Sequence, residues 1–354
     1  MYAHKIRHIL SKKILLRILK YLLFLSAGIL IFWYVYKDLE LEMIKDQLAD
    51  LKYGWIILSF FLGMLSHISR AFRWNMLIET MGYKPRTINT FLSVMVMYLT
   101  NLAIPRAGEV ARCSMLTKYE KVPFTKLFGT VVVERTTDMI ALMVFAVAIF
   151  ALQYPVFQEF VKEHPEFQEQ IKLIFSTRNI ILAALVLVVG LIMLYIYRHS
   201  FKRTKFYVKI KELVDNLIDG IKTITQLKKT WLYVLHTLFI YLMWLIMLYV
   251  VFFSFEPTAH LSILAGMAAF VMSGLAMAAP VQGGIGPWHF MVYETLFIYG
   301  IDKTDGKIFA LIAHSATNLS LLVVGFIALL LFPVINKEIK KDIIRGKKKS
   351  TKIK

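Results

Sequence analysis

The sequence holds a single cysteine, Cys113, in 354 residues. No internal disulfide can form, and no Cys/His spacing has the form of a structural zinc site. Charge is also scarce: 18% of residues are Asp, Glu, Lys or Arg, where a soluble domain carries about a quarter. Acids are the rarer sign, 23 against 42 Lys plus Arg, which leaves a formal net charge of +19. No Walker loop, GxSxG or HExxH motif is present, so three common catalytic signatures are missing. No cofactor and no metal are expected.

Apolar residues fill the space left by charge. The chain is 58% hydrophobic with a mean hydropathy of +0.61. That excess excludes a soluble globular enzyme and, more firmly, a disordered chain. In a soluble protein the cations would suggest nucleic acid. Here they lie between apolar runs and mark membrane topology, so no nucleic-acid partner is expected.

Apolar runs lie at about 18–36, 53–70, 88–104, 127–152, 179–197, 231–253, 261–279, 288–300 and 308–333. The segment Trp33 to Asp38 offers no small-residue cleavage site, so 18–36 reads as a retained helix and not a signal peptide. Crossing the hydrocarbon takes roughly 20 helical residues. Six runs are long and cleanly bounded. The runs 88–104, 261–279 and 288–300 are short or end at Pro105, or at Pro280, Gly283, Gly284, Gly286 and Pro287. An amphipathic stretch, 107–119, follows Pro105.

Charge decides how the short runs fold. If 88–104 turns back at Pro105, then Arg106, Arg112, Lys118, Lys121 and Lys126 stay on the side of Arg70, Arg73, Lys84 and Arg86, as the positive-inside rule prefers. The expected fold is therefore all-α and membrane-embedded. It has about six full crossings plus two oppositely oriented re-entrant helical hairpins, with both termini cytoplasmic. The acid-rich segments 38–50 and 159–169 fall outside. Segment 198–230 carries nine Lys/Arg among apolar residues and reads as a cytoplasmic amphipathic helix on anionic headgroups.

A repeat follows from this topology. Residues 18–152 and 179–333 each read helix, helix, hairpin, helix, in opposite orientations. Both breaks have the form Pro-x-x-Gly, Pro105 to Gly108 and Pro280 to Gly283, offset by 175 residues. Inverted repeats with helices broken at matching places are the pattern of secondary transporters. Broken backbone at membrane depth must be buried in protein or line a wet cavity. The expected organisation is a basic N-terminus (1–17), one membrane domain (18–335) and a basic cytoplasmic tail (336–354).

Four constellations could carry chemistry. The first runs Asn101, Pro105, Arg106, Gly108, Glu109, Arg112. A half-helix starting near Ala107 would point unpaired N–H groups into the break, where they and two arginines attract an anion such as phosphate. Snorkelling arginines at an interfacial loop are the plainer reading. The second is Glu134, Arg135 and Asp138 in an apolar helix, with Arg135 able to reach Asp138 at i,i+3. It is either a structural ion pair or a bundle-facing cluster that binds a cationic group, carries protons or supports the arginine site. The third is Pro280, Gly283, Gly284, Gly286 and Pro287, a deliberate break with Pro287 suited to open the next half-helix and His289 nearby. The fourth is His314 and Asn318, one turn apart on the last helix, suited to substrate contact or to helix–helix hydrogen bonding.

The runs NLAIPRAGEVAR, ERTTD and PVQGGIG, in that order, resemble the membrane region of lysylphosphatidylglycerol synthase/flippase proteins and of their stand-alone members. The resemblance covers about 20–335. It implies an integral protein of the cytoplasmic membrane that moves or handles lipid. The matching positions are Asn101, Pro105, Arg106, Gly108, Glu109 and Arg112, then Glu134, Arg135 and Asp138, then Pro280, Gly283, Gly284 and Gly286. The chain departs at His289, where members often carry an acid, which weakens any carry-over of cation binding to that point. The synthases' soluble aminoacyl-transferase domain has no counterpart, so lysyl transfer is not expected.

The expected function is a lipid flippase that binds a phosphate-bearing lipid, aminoacylated or not, between the hairpins. Membrane lipids are the expected partners. A homo-oligomer or an envelope-enzyme partner stays open. The alternatives are a membrane transferase acting on a lipid phosphate, with Glu109 and Glu134 as acid and base, and an accessory subunit of an envelope enzyme.

Overall fold

The computed structural model describes residues 25–163 and 224–337 except Pro280, with scattered positions between 169 and 211. The described residues form helices and no strand. They divide into two compact units, 1–131 with 227–354, and 132–226. The first unit contains α1 (25–36), α2 (Leu41–Ala49), α3 (Tyr53–Glu79), α4 (Thr87–Ala103), α5 (Gly108–Glu120) and the start of α6 (Phe124–Leu152). It continues with α8 (Thr230–Phe252), α9 (Ile263–Ala276), α10 (Pro287–Ile298) and α11 (Lys303–Ile335). The second unit holds most of α6, and α7 (Tyr154–Glu163).

Four helical stretches are long and apolar enough to cross a membrane: Tyr53–Glu79, Phe124–Lys162, Thr230–Phe252 and Lys303–Ile335. The expected crossing at 18–36 is described only from Leu25. The expected crossing at 179–197, the amphipathic segment 198–230 and Pro280 lie wholly or almost wholly outside the described residues. The acid-rich stretch 38–50 contains α2.

Helix α3 corrects the sequence reading. Its apolar run stops at Arg70, yet the helix continues nine residues to Glu79. No breaker occurs until Gly82, which takes a left-handed φ of 82°. Arg70 and Arg73, expected in a cytoplasmic loop, are inside the helix and 2% and 0% exposed. Aromatic side chains account for this. The guanidinium of Arg70 lies over Trp244 and that of Arg73 over Tyr233, both on α8. Pairs 63/247, 70/244 and 73/237 run in opposite directions, so α3 and α8 are antiparallel.

Helices α4 and α5 form an antiparallel hairpin. Pro105 forces the residue before it to be extended, and Ile104 is (φ −134°, ψ 113°), which ends α4. At the tip, Asn101 accepts a hydrogen bond from the Gly108 N–H (2.8 Å). At the base, Asn89 bonds Glu120. Gly108 is required for close approach and not for a positive φ. A Cβ there would lie 2.2 Å from the Met97 carbonyl oxygen. The residue with the left-handed φ is Arg106, at 62°.

Helices α9 and α10 form the second pair, joined by a tight turn that includes Gln282–Gly284. Gly286 has φ 92°, and Pro287 opens α10 at its first position, as expected. A Cβ on Gly286 would meet the Gly28 carbonyl at 2.6 Å, so α1 seats directly on this turn.

Helix α11 orders both pairs. At 33 residues it is about 50 Å long. Along it, Gly306 faces Tyr293 of α10, and His314 meets Gly283 at the second tip. Gly325 then faces Met95 and Leu99 near the first tip, and Asn336 exchanges two hydrogen bonds with Asn89 at the first base (2.9 and 3.0 Å). The two pairs therefore lie along opposite ends of α11, with their tips towards its middle. The tips touch: Gln282 Nε2 donates to the Ala103 carbonyl at 2.6 Å.

Two predictions follow from the packing. Gly108→Ala sets a methyl against backbone that cannot yield, and should lower stability by about 2–4 kcal/mol, read as a fall in thermal midpoint in detergent. The second concerns Asp302, which caps α11 by accepting from the Thr304 N–H (2.7 Å); that bond chiefly holds its carboxyl below the usual carboxylate range. The cap's stability is present above the ordinary carboxylate pKa and disappears as pH falls through the lowered one. Asp302→Asn should keep the cap and flatten that acid limb of the midpoint-against-pH curve.

Candidate functional site

The first tip is built from Asn101, Pro105, Arg106, Gly108, Glu109 and Arg112. Free N–H groups facing the break were expected. One of them, on Gly108, is instead taken by Asn101. The amide reaches back across the turn and serves as the cap that Ala107 cannot supply. Arg106 is exposed at the turn, Glu109 is half-buried, and Arg112 is fully buried one turn into α5. The guanidinium of Arg112 lies 4.4 Å from the Trp74 ring centre, a cation–π contact that offsets part of its desolvation. Arg106 and Arg112, read together from sequence, thus occupy different surroundings: one open at the tip, one enclosed against α3.

At the second tip, Gln282, Gly283, Gly284 and Gly286 shape the turn, and Gly283, Gly284 and Gly286 all have left-handed φ values. The Gly283 carbonyl is 2.8 Å from His314 Nε2, and Asn318 Nδ2 lies 3.1 Å from His314 Nδ1. A carbonyl only accepts and an amide NH2 only donates. His314 therefore donates from Nε2 to Gly283, and the Asn318 amide lies beside both ring nitrogens. His289, 1% exposed, accepts the Gly286 N–H at Nδ1 (3.3 Å), and its ring centre is 4.4 Å from that of His314. The structure brings His289, His314 and Asn318 together, although sequence placed them in separate motifs.

Three residues escaped the sequence reading. Arg70 donates to Tyr98 Oη (3.1 Å), and Arg73 donates to Thr237 (3.1 Å). Both were absorbed into a charge tally for topology, and only the absence of a helix breaker before Gly82 signalled otherwise. Gln282 joins the two tips. Its signal was a lone amide inside a proline-glycine turn.

Glu134, Arg135 and Asp138 belong to the second unit and are described within it. The i,i+3 pair forms, with Arg135 Nη1 3.7 Å from Asp138 Oδ2, and Glu134 is completely buried. Between α3, α8 and α11 a cavity of about 20 Å³, lined by His67, Gly63, Met247, Thr317 and Ser320 among others, has room for one water. Among the described residues no cluster of His, Cys, Asp and Glu could hold a metal ion.

Long apolar helices and two helix pairs meeting tip to tip define a multi-pass membrane protein. Residues 17–325 match the family described as lysylphosphatidylglycerol synthase TM region, and the chain belongs to that family. A UPF0104 membrane protein, MJ1595, of Methanocaldococcus jannaschii is 32% identical over 117 residues, which is 32% of this chain and 34% of that protein. The match thus spans about a third of that relative's length. No solved structure matches the chain.

The left-handed Arg106 carries a backbone strain of about 1 kcal/mol that glycine would relieve. Arg106→Gly should raise the thermal midpoint while weakening any function that uses the guanidinium. A fall in midpoint would show that the arginine side chain stabilises the turn.

Proposed function

We propose that this protein is a lipid flippase of the cytoplasmic membrane, which passes a phosphate-bearing headgroup between two re-entrant hairpins. The observation that carries the reading is the bond from Gln282 to the Ala103 carbonyl, where two hairpins from opposite ends of α11 meet. In a bilayer this meeting point lies near the midplane, since hairpins of 12 to 17 residues per helix reach only part of the hydrocarbon thickness. The closed tips correspond to an occluded state, and rocking one half against the other would open them alternately.

The same reading takes the two halves as an inverted repeat. Shifted by the 175-residue offset of the two prolines, Tyr53–Glu79 falls on 228–254 and Thr87–Ala103 on 262–278. These match α8 (Thr230–Phe252) and α9 (Ile263–Ala276). The corresponding helices α3 and α8 are antiparallel, as inversion requires.

Arg106, exposed at the tip, would meet the phosphate first. Arg112 would hold it once the hairpin shifts away from Trp74, exchanging a cation–π contact for a bidentate one. Glu109, Glu134, Arg135 and Asp138 would balance charge along the path or engage an amine on the headgroup. Asn101, His289 and His314 would exchange backbone partners, and Asn318 its His314 ring partner, for headgroup atoms.

The test uses proteoliposomes with a headgroup-labelled anionic phospholipid and an impermeant quencher. Wild-type protein should expose the inner-leaflet label. Arg112→Ala, if folded by size-exclusion profile, should cut the rate by about 100-fold, as expected when a buried phosphate contact is lost. Full-rate transport by that variant would overturn the site.

A further inference from the structure

We infer that the cavity between α3, α8 and α11 is a binding site for one uncharged hydroxyl group, supplied by water or by a lipid alcohol. Size sets the first limit on its occupant. About 20 Å³ admits a single oxygen-sized group. Depth sets the second. His67 lies near the middle of α3 and Ser320 near the middle of α11. In a bilayer that is where a charge is most costly. Among the described residues no Asp, Glu, Lys or Arg lies on the wall, so nothing there offsets that cost.

The polar atoms of the wall select the chemistry. Thr317 donates its hydroxyl hydrogen to the Ala313 carbonyl (2.9 Å), and Ser320 donates to the Ala316 carbonyl (2.7 Å). Each of these oxygens is left with lone pairs alone to offer. The occupant must therefore bring a hydrogen of its own, which phosphate, carboxylate and ester oxygens lack. His67 is 5% exposed, and its Nδ1 has no hydrogen-bond partner among the described residues. Burial of a polar atom in that condition is unfavourable, and a partner at the site removes the penalty. Nδ1 donates or accepts according to tautomer, and an O–H group can answer either way. Ser59, also 5% exposed, adds a fourth polar side chain. Buried waters typically make about three hydrogen bonds, and this wall can supply them.

The rest of the lining is apolar. Phe60, Met64, Met247 and Leu321 are half-buried around the polar group, a surface suited to the carbon beside an alcohol oxygen. The His67 ring also packs on that of Tyr98 in α4 (4.6 Å), and Tyr98 Oη accepts from Arg70. His67 is thus the link between the cavity and the first helix pair.

The test is X-ray radiolytic footprinting of the full chain in phosphatidylcholine nanodiscs. Hydroxyl radicals form from water and oxidise the side chains next to it. Met64 and Met247 on the wall are the reporters. Phe61, on the same helix at the same height and 58% exposed on its apolar face, is the control. Both methionines should be oxidised while Phe61 stays unmodified. His67→Leu should abolish that oxidation, His67→Gln should restore it by keeping a donor and an acceptor, and Thr317→Val should reduce it. Each variant is first matched to wild type by size-exclusion profile. Unmodified methionines in wild type, or wild-type oxidation in both His67→Leu and Thr317→Val, would overturn the site. Two further discs identify the source of the hydroxyl. One contains phosphatidylmethanol, and the other contains the ethylene glycol ester, which has the same charge and a terminal hydroxyl. Protection of Met64 and Met247 in the second disc alone identifies a lipid alcohol as the occupant, and equal oxidation in both identifies water. None of these readouts requires lipid to cross the bilayer, so the hydroxyl site and the flippase reading can fail separately.

Discussion

A helix that stops inside a bilayer strands N–H and C=O groups where no water can reach them, and each stranded group costs several kcal/mol. The two interrupted helix pairs of this protein answer that constraint with side chains. Asn101 takes the Gly108 N–H, Gln282 the Ala103 carbonyl, His289 the Gly286 N–H and His314 the Gly283 carbonyl. The two tips can therefore meet with their turn backbone groups bonded to protein.

Buried cations are handled by a second device. Arg70, Arg73 and Arg112 each lie over an aromatic ring, Trp244, Tyr233 and Trp74. A guanidinium is planar and weakly hydrated, so it gives up water for a π face more readily than an ammonium would. None of the described lysines, by contrast, is buried. That division explains why arginine occupies the interior positions of α3 and α5.

The sequence disclosed the breaks because proline and glycine act locally. Pro105 ends α4 within two residues, and Pro287 starts α10 at its first position. It did not disclose the end of α3, because Arg70 closes any apolar window while its burial depends on Trp244, far along the chain. Nor did it disclose the job of the tip side chains. Asn101 bonds a group seven residues away, whereas Gln282 and Ala103 are 179 residues apart. The arginine pair inferred from spacing divides into an exposed and an enclosed member, because Arg106 is thrown outward by its left-handed backbone. Glycine was legible as a breaker, but Gly108 earns its place through a backbone contact that only packing reveals.

The occupied caps have a bearing on how the tips part. Separating the tips with nothing between them would strip the Gln282 amide from the Ala103 carbonyl, which costs free energy where water cannot replace it. A contact closed by a hydrogen bond to a backbone carbonyl opens without loss only when another donor takes over that carbonyl.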